Sequence, residues 1–194
     1  PRVAPIQVMI IPIQQQKPGV LDKANEVMEQ LKAAGIRAKV DASDKTPGWK
    51  FSDAEMRGIP LRIEIGPRDI ENNACVIAKR NDGTKNTYSL DETLPDTINK
   101  LLDTIHDEMY QKALKHRDEN IRQATTYDQF KDIIATKGGY VKIMWCGDEE
   151  CENKIKADTT ATSRCIKEDE EAFSDVCPVC GKPAKKVVYF AKSY

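Results

Sequence analysis

The chain opens on Ile6-Gln7-Val8-Met9-Ile10-Ile11-Pro12-Ile13, a nearly unbroken apolar run of the kind found in strands buried on both faces. Pro18-Gly19 interrupts it, and Val20, Leu21, Ala24, Val27, Met28, Leu31 and Ala34 then recur at helical spacing up to Gly35. Ile36 to Val40 reads as a second strand, and a β-α-β order with a helical crossover implies a parallel pair. Thr46-Pro47-Gly48 breaks the chain before a short helix over 49–57, which Gly58 ends. From Pro60 to Gly66 the apolar Leu61, Ile63 and Ile65 alternate with Arg62 and Glu64, which predicts a strand with two charged groups on one face. Gly66-Pro67 turns it. Strands over 75–80 and 84–90 flank Asn81-Asp82-Gly83, a hairpin signal. A long helix over 95–122 follows, with Ile98, Leu101, Leu102, Ile105, Met109 and Ala113 along one side. The pattern predicts an α/β domain with a mixed five-stranded sheet and flanking helices.

Beyond it, Thr126-Tyr127-Asp128-Gln129 has the form of a capping box opening a helix through Ala135. Gly138-Gly139 stops that helix, and Tyr140 to Trp145 reads as a strand leading into Cys146. Another short apolar strand, Val187-Val188-Tyr189-Phe190, stands close to Tyr194. No internal repeat and no low-complexity linker is present.

Six cysteines change the picture of this second part, because five of them fall between positions 146 and 180. Cys146 and Cys151 form one close pair, Cys177 and Cys180 another. Two such pairs can supply the four soft ligands of tetrahedral zinc with little loop strain, and Gly181 suits the tight turn after the last cysteine. The rival reading of Cys177–Cys180 is a redox pair. That chemistry needs a helix beginning at the cysteines to lower the thiol pKa, and Gly181-Lys182-Pro183 opposes one. Four thiolates leave no open position for water, so the metal is expected to be structural. Cys75 and Cys165 have no partner at ligand spacing and are expected in the core. His106 and His116 lie on the long helix and are expected to be surface or packing residues.

Charge adds a restriction. The net charge of −1 argues against coating a nucleic acid through phosphate contacts alone. Residues 1–90 hold 14 Lys/Arg against 11 Asp/Glu, so the mild basic excess sits in the first part. No apolar run approaches the roughly 20 residues of a membrane span. A start at Pro1, without an apolar leader, leads us to expect a piece of a longer protein. Neither a short chain nor a leader supports a disulfide scaffold, and a cytoplasmic setting is expected.

Between Thr46 and Asp69 aromatics (Trp49, Phe51), cations (Lys50, Arg57, Arg62, Arg68) and carboxylates (Glu55, Glu64) interleave. Unstacked RNA bases are read by aromatic stacking and by hydrogen bonds to their edges. A carboxylate in a basic patch can accept the two adjacent N–H donors of guanine, whereas facing phosphate it would repel. Solvated charges on an amphipathic helix and strand would produce a similar pattern.

The stretch from Pro47-Gly48-Trp49-Lys50-Phe51 through Gly58-Ile59-Pro60-Leu61-Arg62 to Glu64-Ile65-Gly66-Pro67-Arg68-Asp69 closely resembles prolyl-tRNA synthetases of the archaeal/eukaryotic type. So does the Cys-x4-Cys and Cys-x2-Cys module ending at Lys192-Ser193-Tyr194. The resemblance implies a class II synthetase anticodon-binding domain over 1–115 and a small α+β zinc domain over 116–194. It implies a homodimeric, cytoplasmic parent enzyme that joins proline to its tRNA, using ATP and magnesium in a catalytic domain not represented here. This chain alone would then not make prolyl-tRNA. By the same resemblance Phe51, Glu55, Arg62 and Arg68 stand where the family contacts the two guanines of the proline anticodon, and Tyr194 reaches towards the catalytic domain. Ala54 replaces a bulky aromatic common in the family, and Met56-Arg57 the usual Leu-Lys. A stand-alone accessory RNA-binding protein and a thiol enzyme remain as readings of other classes.

Overall fold

In the computed structural model, residues 1–193 are described, and they divide into two compact units that meet at Gln111/Lys112. The expected border at 115/116 lies slightly further along the same helix.

In the first unit β1 (Val8–Pro12), β2 (Ala38–Val40) and β3 (Leu61–Ile65) are parallel, while β4 (Ala74–Lys79) and β5 (Lys85–Ser89) run antiparallel to their neighbours. The sheet order is β2-β1-β3-β4-β5, the mixed five-stranded sheet that the periodicity predicts. Every residue of β1 is buried, because both of its faces are covered. On one side Val8, Ile10, Ile63 and Ile77 pack with Val27 and Leu31 of α1 (Val20–Ala33) and with Ile98 and Ile105 of α4 (Leu94–Glu119). On the other side Met9 and Ile11 pack with Ala54 of α2 (Pro47–Met56) and with Ile59. Thr46 caps α2 by accepting from the Trp49 N–H, and Pro47 occupies its first turn, where a missing N–H costs nothing. Since α2 covers β1, the β4–β5 half of that face is left open: Val76 is half-buried, and Lys85 and Thr87 are exposed.

Gly66-Pro67 is more than a turn. It starts a short helix, α3 (Pro67–Glu71), whose Asp69 carboxylate accepts from the Gly66 N–H at 2.7 Å. The long helix is shorter than expected and its stripe narrower, for Met109 is 53% exposed and Ala113 is exposed too. It ends at Glu119, because Ile121–Gln123 leaves helical geometry to form β6, parallel to β7 (Tyr140–Trp145).

In the second unit Thr126 caps α5 (Tyr127–Thr136) by accepting from the Gln129 N–H. The reciprocal bond is displaced by one residue: Gln129 Oε1 accepts from the Thr125 N–H rather than that of Thr126. Two further elements, α6 (Glu149–Thr159) and β8 (Ala161–Ile166), precede β9 (Lys186–Lys192). The sheet order is β6-β7-β9-β8. Its core is formed by Phe130, Val141, Ile143, Ile155, Val188 and Phe190, and the Phe130 and Phe190 rings meet edge to face at 5.8 Å. No helix among the described residues is long and apolar enough to cross a membrane.

Candidate metal centre and nucleic-acid interface

The Sγ atoms of Cys146, Cys151, Cys177 and Cys180 all lie within 4.8 Å of one another. Cys146 is 3.7 Å from both Cys151 and Cys180. A tetrahedral ion with metal–sulfur bonds of about 2.3 Å has sulfur–sulfur edges of about 3.8 Å. These residues therefore fit a single metal ion, with four ligands from three places in the fold: the end of β7, the first turns of α6, and the loop before β9.

Two matched turns shape the cluster. In Cys146-Gly147-Asp148 and Cys180-Gly181-Lys182 the glycine has a φ of +92° or +73°, in the left-handed region. The chain thereby doubles back, and the N–H two residues on donates to the sulfur: Asp148 to Cys146, Lys182 to Cys180. That N–H, from Lys182, pulls the Cys180 thiol below the ordinary range, whereas burial raises Cys151 and Cys146. The two turns are tied together by the ion pair of Lys182 Nζ with Asp148 Oδ2, at 3.0 Å. Lys182 also places a cation near thiolates that together outweigh a divalent ion's charge.

No helix begins at Cys177. Its backbone N–H donates to the Lys182 carbonyl at 2.9 Å and its carbonyl accepts from Gly181 at 2.8 Å, which closes a turn instead. The N-terminus that lowers a redox thiol's pKa is thus missing from this pair. Cys75 is fully buried and its thiol is pushed up to about 12, mainly by burial. Cys165, by contrast, is exposed on β8, an edge strand, and is not the core residue expected. His106 is half-buried and His116 exposed, as their helical positions suggested.

In the first unit, the open half of the sheet carries a compact charged cluster. Arg62 is only 6% exposed. Its Nε donates to Glu64 Oε1 at 3.1 Å, its Nη1 to Glu55 Oε1 at 3.0 Å, and its guanidinium lies 4.2 Å from the Phe51 ring centroid. Strand register places Lys85 two strands away in the same row, since Arg62 pairs with Ala78 and Ala78 with Lys85. From there Lys85 Nζ reaches Glu64 Oε1 at 2.7 Å and stands 4.9 Å from the Phe51 ring. Phe51, Glu55 and Arg62 are thus brought together. Arg68 is not among them; it is exposed on α3, past the far end of β3, and its side chain makes no polar contact among the described residues. Tyr194 lies outside the described residues. Reading the sequence singled out Glu64 but missed Lys85, which only the hairpin register about Asn81-Asp82-Gly83 could have aligned with Arg62.

The chain thus joins an α/β domain, whose open sheet face carries one aromatic ring and two carboxylates held by a buried arginine, to a smaller domain whose four clustered cysteines could hold a metal. Comparison with known proteins is more specific. Residues 7–101 match a family model described as an anticodon binding domain, and residues 127–194 one described as prolyl-tRNA synthetase, C-terminal. Along its full length the chain is 58% identical to a proline–tRNA ligase of Lachnospira eligens, 53% to one of Agathobacter rectalis and 52% to one of Clostridium botulinum. It spans 40% of the length of each. The chain belongs to the anticodon-binding and C-terminal domains of the prolyl-tRNA synthetase family.

Proposed function

We propose that this chain is the tRNA-reading and zinc-stapled C-terminal portion of a cytoplasmic proline–tRNA ligase of the archaeal/eukaryotic type. The relatives named above are bacterial, so the type is one of architecture, and the C-terminal cysteine module supports it. The parent enzyme would join proline to its tRNA with ATP and magnesium in its catalytic domain, as a homodimer. In this portion Phe51 would stack on an anticodon base, while Glu55, Arg62 and Arg68 would engage the guanine pair. Zinc suits four thiolates in a tetrahedron better than harder ions do, and Cys146, Cys151, Cys177 and Cys180 would hold it for structure alone. Tyr194 would contact the catalytic domain.

The observation that carries this reading is the Arg62-centred cluster on the open sheet face of the domain that matches the anticodon-binding family. Binding of proline tRNA to the chain, compared with the same tRNA whose anticodon guanines are changed to adenine, tests it. The changed tRNA should bind more weakly, and Arg62→Ala should cost about 1–3 kcal/mol and blunt the difference. Equal binding of the two tRNAs by the unaltered chain would refute the assignment.

A further inference from the structure

Both contacts of the Glu64 carboxylate fall on one oxygen. Oε1 accepts from Arg62 Nε and from Lys85 Nζ, and Oε2 has no polar partner among the described residues. Glu55 is arranged alike, with Oε1 on Arg62 Nη1 and Oε2 without a polar partner among the described residues. One buried arginine therefore holds two carboxylates by one oxygen each. An ionised carboxylate offers about four acceptor sites, so Glu55 keeps room for a planar pair of N–H donors, and Glu64 gains it once Lys85 leaves Oε1. Arg62, with Nε and Nη1 committed to protein carboxylates and Nη2 without a polar partner among the described residues, is placed to position the two carboxylates while keeping one nitrogen for the guanine pair.

The cations differ in mobility. The Arg62 side chain is 7% exposed and stacked on Phe51, whereas that of Lys85 is 44% exposed on the edge strand β5. An exposed lysine pair is weak and easily exchanged. If Lys85 swings away, Glu64 Oε1 regains an acceptor site beside the free Oε2, and the Phe51 ring is uncovered on the same side of the sheet. The four groups Arg62, Lys85, Glu55 and Glu64 have no net charge together, so a neutral base can replace Lys85 while Lys85 finds a phosphate.

We propose that Glu64 reads one anticodon guanine through its N1–H and N2–H, that Lys85 is the displaceable counter-ion which moves to the RNA backbone, and that Arg62 positions Glu64 and Glu55 as a pair, one carboxylate for each guanine. This rests on the anticodon-reading function proposed above. A phosphate contact and a base contact leave different signatures. Sequence discrimination belongs to the base contact, and salt dependence to the phosphate contact.

The test uses the 194-residue chain and an RNA hairpin carrying the proline anticodon loop, with each guanine replaced in turn by inosine, which lacks the N2 amino group. The unaltered chain should lose about tenfold affinity or more at each replacement, as for one bidentate base contact. Glu64→Gln should lose the guanine-over-inosine preference at one of the two positions and discriminate normally at the other, since Arg62 Nε keeps the carboxamide oxygen and the NH2 group is left facing the base's N–H donors. Lys85→Met should keep both discriminations, yet lower the slope of log affinity against log salt by about 0.7, the value for one phosphate on a single strand. Retention of both discriminations by Glu64→Gln, or an unchanged salt slope in Lys85→Met, would overturn the proposal. If Glu64→Gln does not fold, the salt slope of Lys85→Met decides. A hairpin with both guanines changed to adenine that binds the unaltered chain equally well would instead defeat the anticodon assignment itself.

Discussion

Removing the zinc proposed for the second unit should cost much of that unit's stability and none of the first's. Cys146 and Cys180 are 34 positions apart, and Lys167–Lys185, between β8 and β9, contains no regular helix or strand to hold itself in place. In the chain-entropy treatment of a cross-link, closing a loop of this length is worth about 4 kcal/mol. A unit of about 80 residues has a total stability of only about 4–12 kcal/mol. Around the cysteines the apolar cluster is small (Met144, Cys151, Cys177, Ala184, Val187 and Tyr189), so little packing remains to offset the loss. A reporter stands at the site: Trp145 precedes Cys146, and its ring N–H donates to the Asp148 carbonyl at 3.3 Å. The other tryptophan, Trp49, is in the first unit, so Trp49→Phe leaves fluorescence that reports the four-cysteine site alone. In that background a zinc chelator, or Cys177→Ser, should lower the Trp145 unfolding midpoint by about 15 °C or more, at roughly 4–8 °C per kcal/mol. Hydrogen exchange in β1 and β3 should stay unchanged, because their core draws only on residues of the first unit. A fall of under about 5 °C would show that packing, not metal, holds the second unit together.

Phe130→Ala removes a fully buried ring that meets Tyr127 and Phe190, and should destabilise the second unit by about 3–5 kcal/mol in urea unfolding followed at Trp145. Glu170 is held below the usual carboxylate range by Lys142 at 2.6 Å and by the Tyr189 hydroxyl at 2.7 Å. Its folded pKa being depressed, its stabilisation is present above the unfolded value of about 4.5 and disappears as pH falls through the folded one. Glu170→Gln should accordingly be less stable than the parent at pH 7 and converge with it in acid, and parallel melting curves across that range would contradict the assignment.

Most of the first unit was legible because each element announces itself locally. The unbroken apolar run of β1, the stripe of α1 and the alternation of β3 follow from having two covered faces, one stripe and one charged face. The errors are equally physical. Ile121, Arg122 and Gln123 continue a plausible helical phase, but their backbone pairs with Tyr140, Val141 and Lys142, a partner that periodicity within one window cannot reveal. Only Cys151 and Ile155 of α6 are buried, and only Ala161 of β8, so both elements lack the apolar signal that marks a stripe or an alternation. At the cysteines, the spacing of two close pairs was enough to anticipate that Cys146, Cys151, Cys177 and Cys180 come together. The charged cluster was only half visible: Phe51 and Glu55 share a helix and Arg62 follows closely, but Lys85 joins them through two strand pairings.

The order β6-β7-β9-β8 makes the last strand in the sequence a central one. β7 and β8, some twenty residues apart, do not pair with each other; each waits for β9 to enter between them. During synthesis from the N-terminus, the first unit has its whole sheet available while the second still has two unpaired strand edges. Until Val187–Ala191 emerges, Ile143 and the edge of β8 stay open to other chains, which is the condition that favours aggregation. Early binding of the proposed zinc by Cys146, Cys151 and the emerging Cys177–Cys180 turn would bring β9 to its slot in register as it appears, so the ion would serve as a folding guide before it served as a staple.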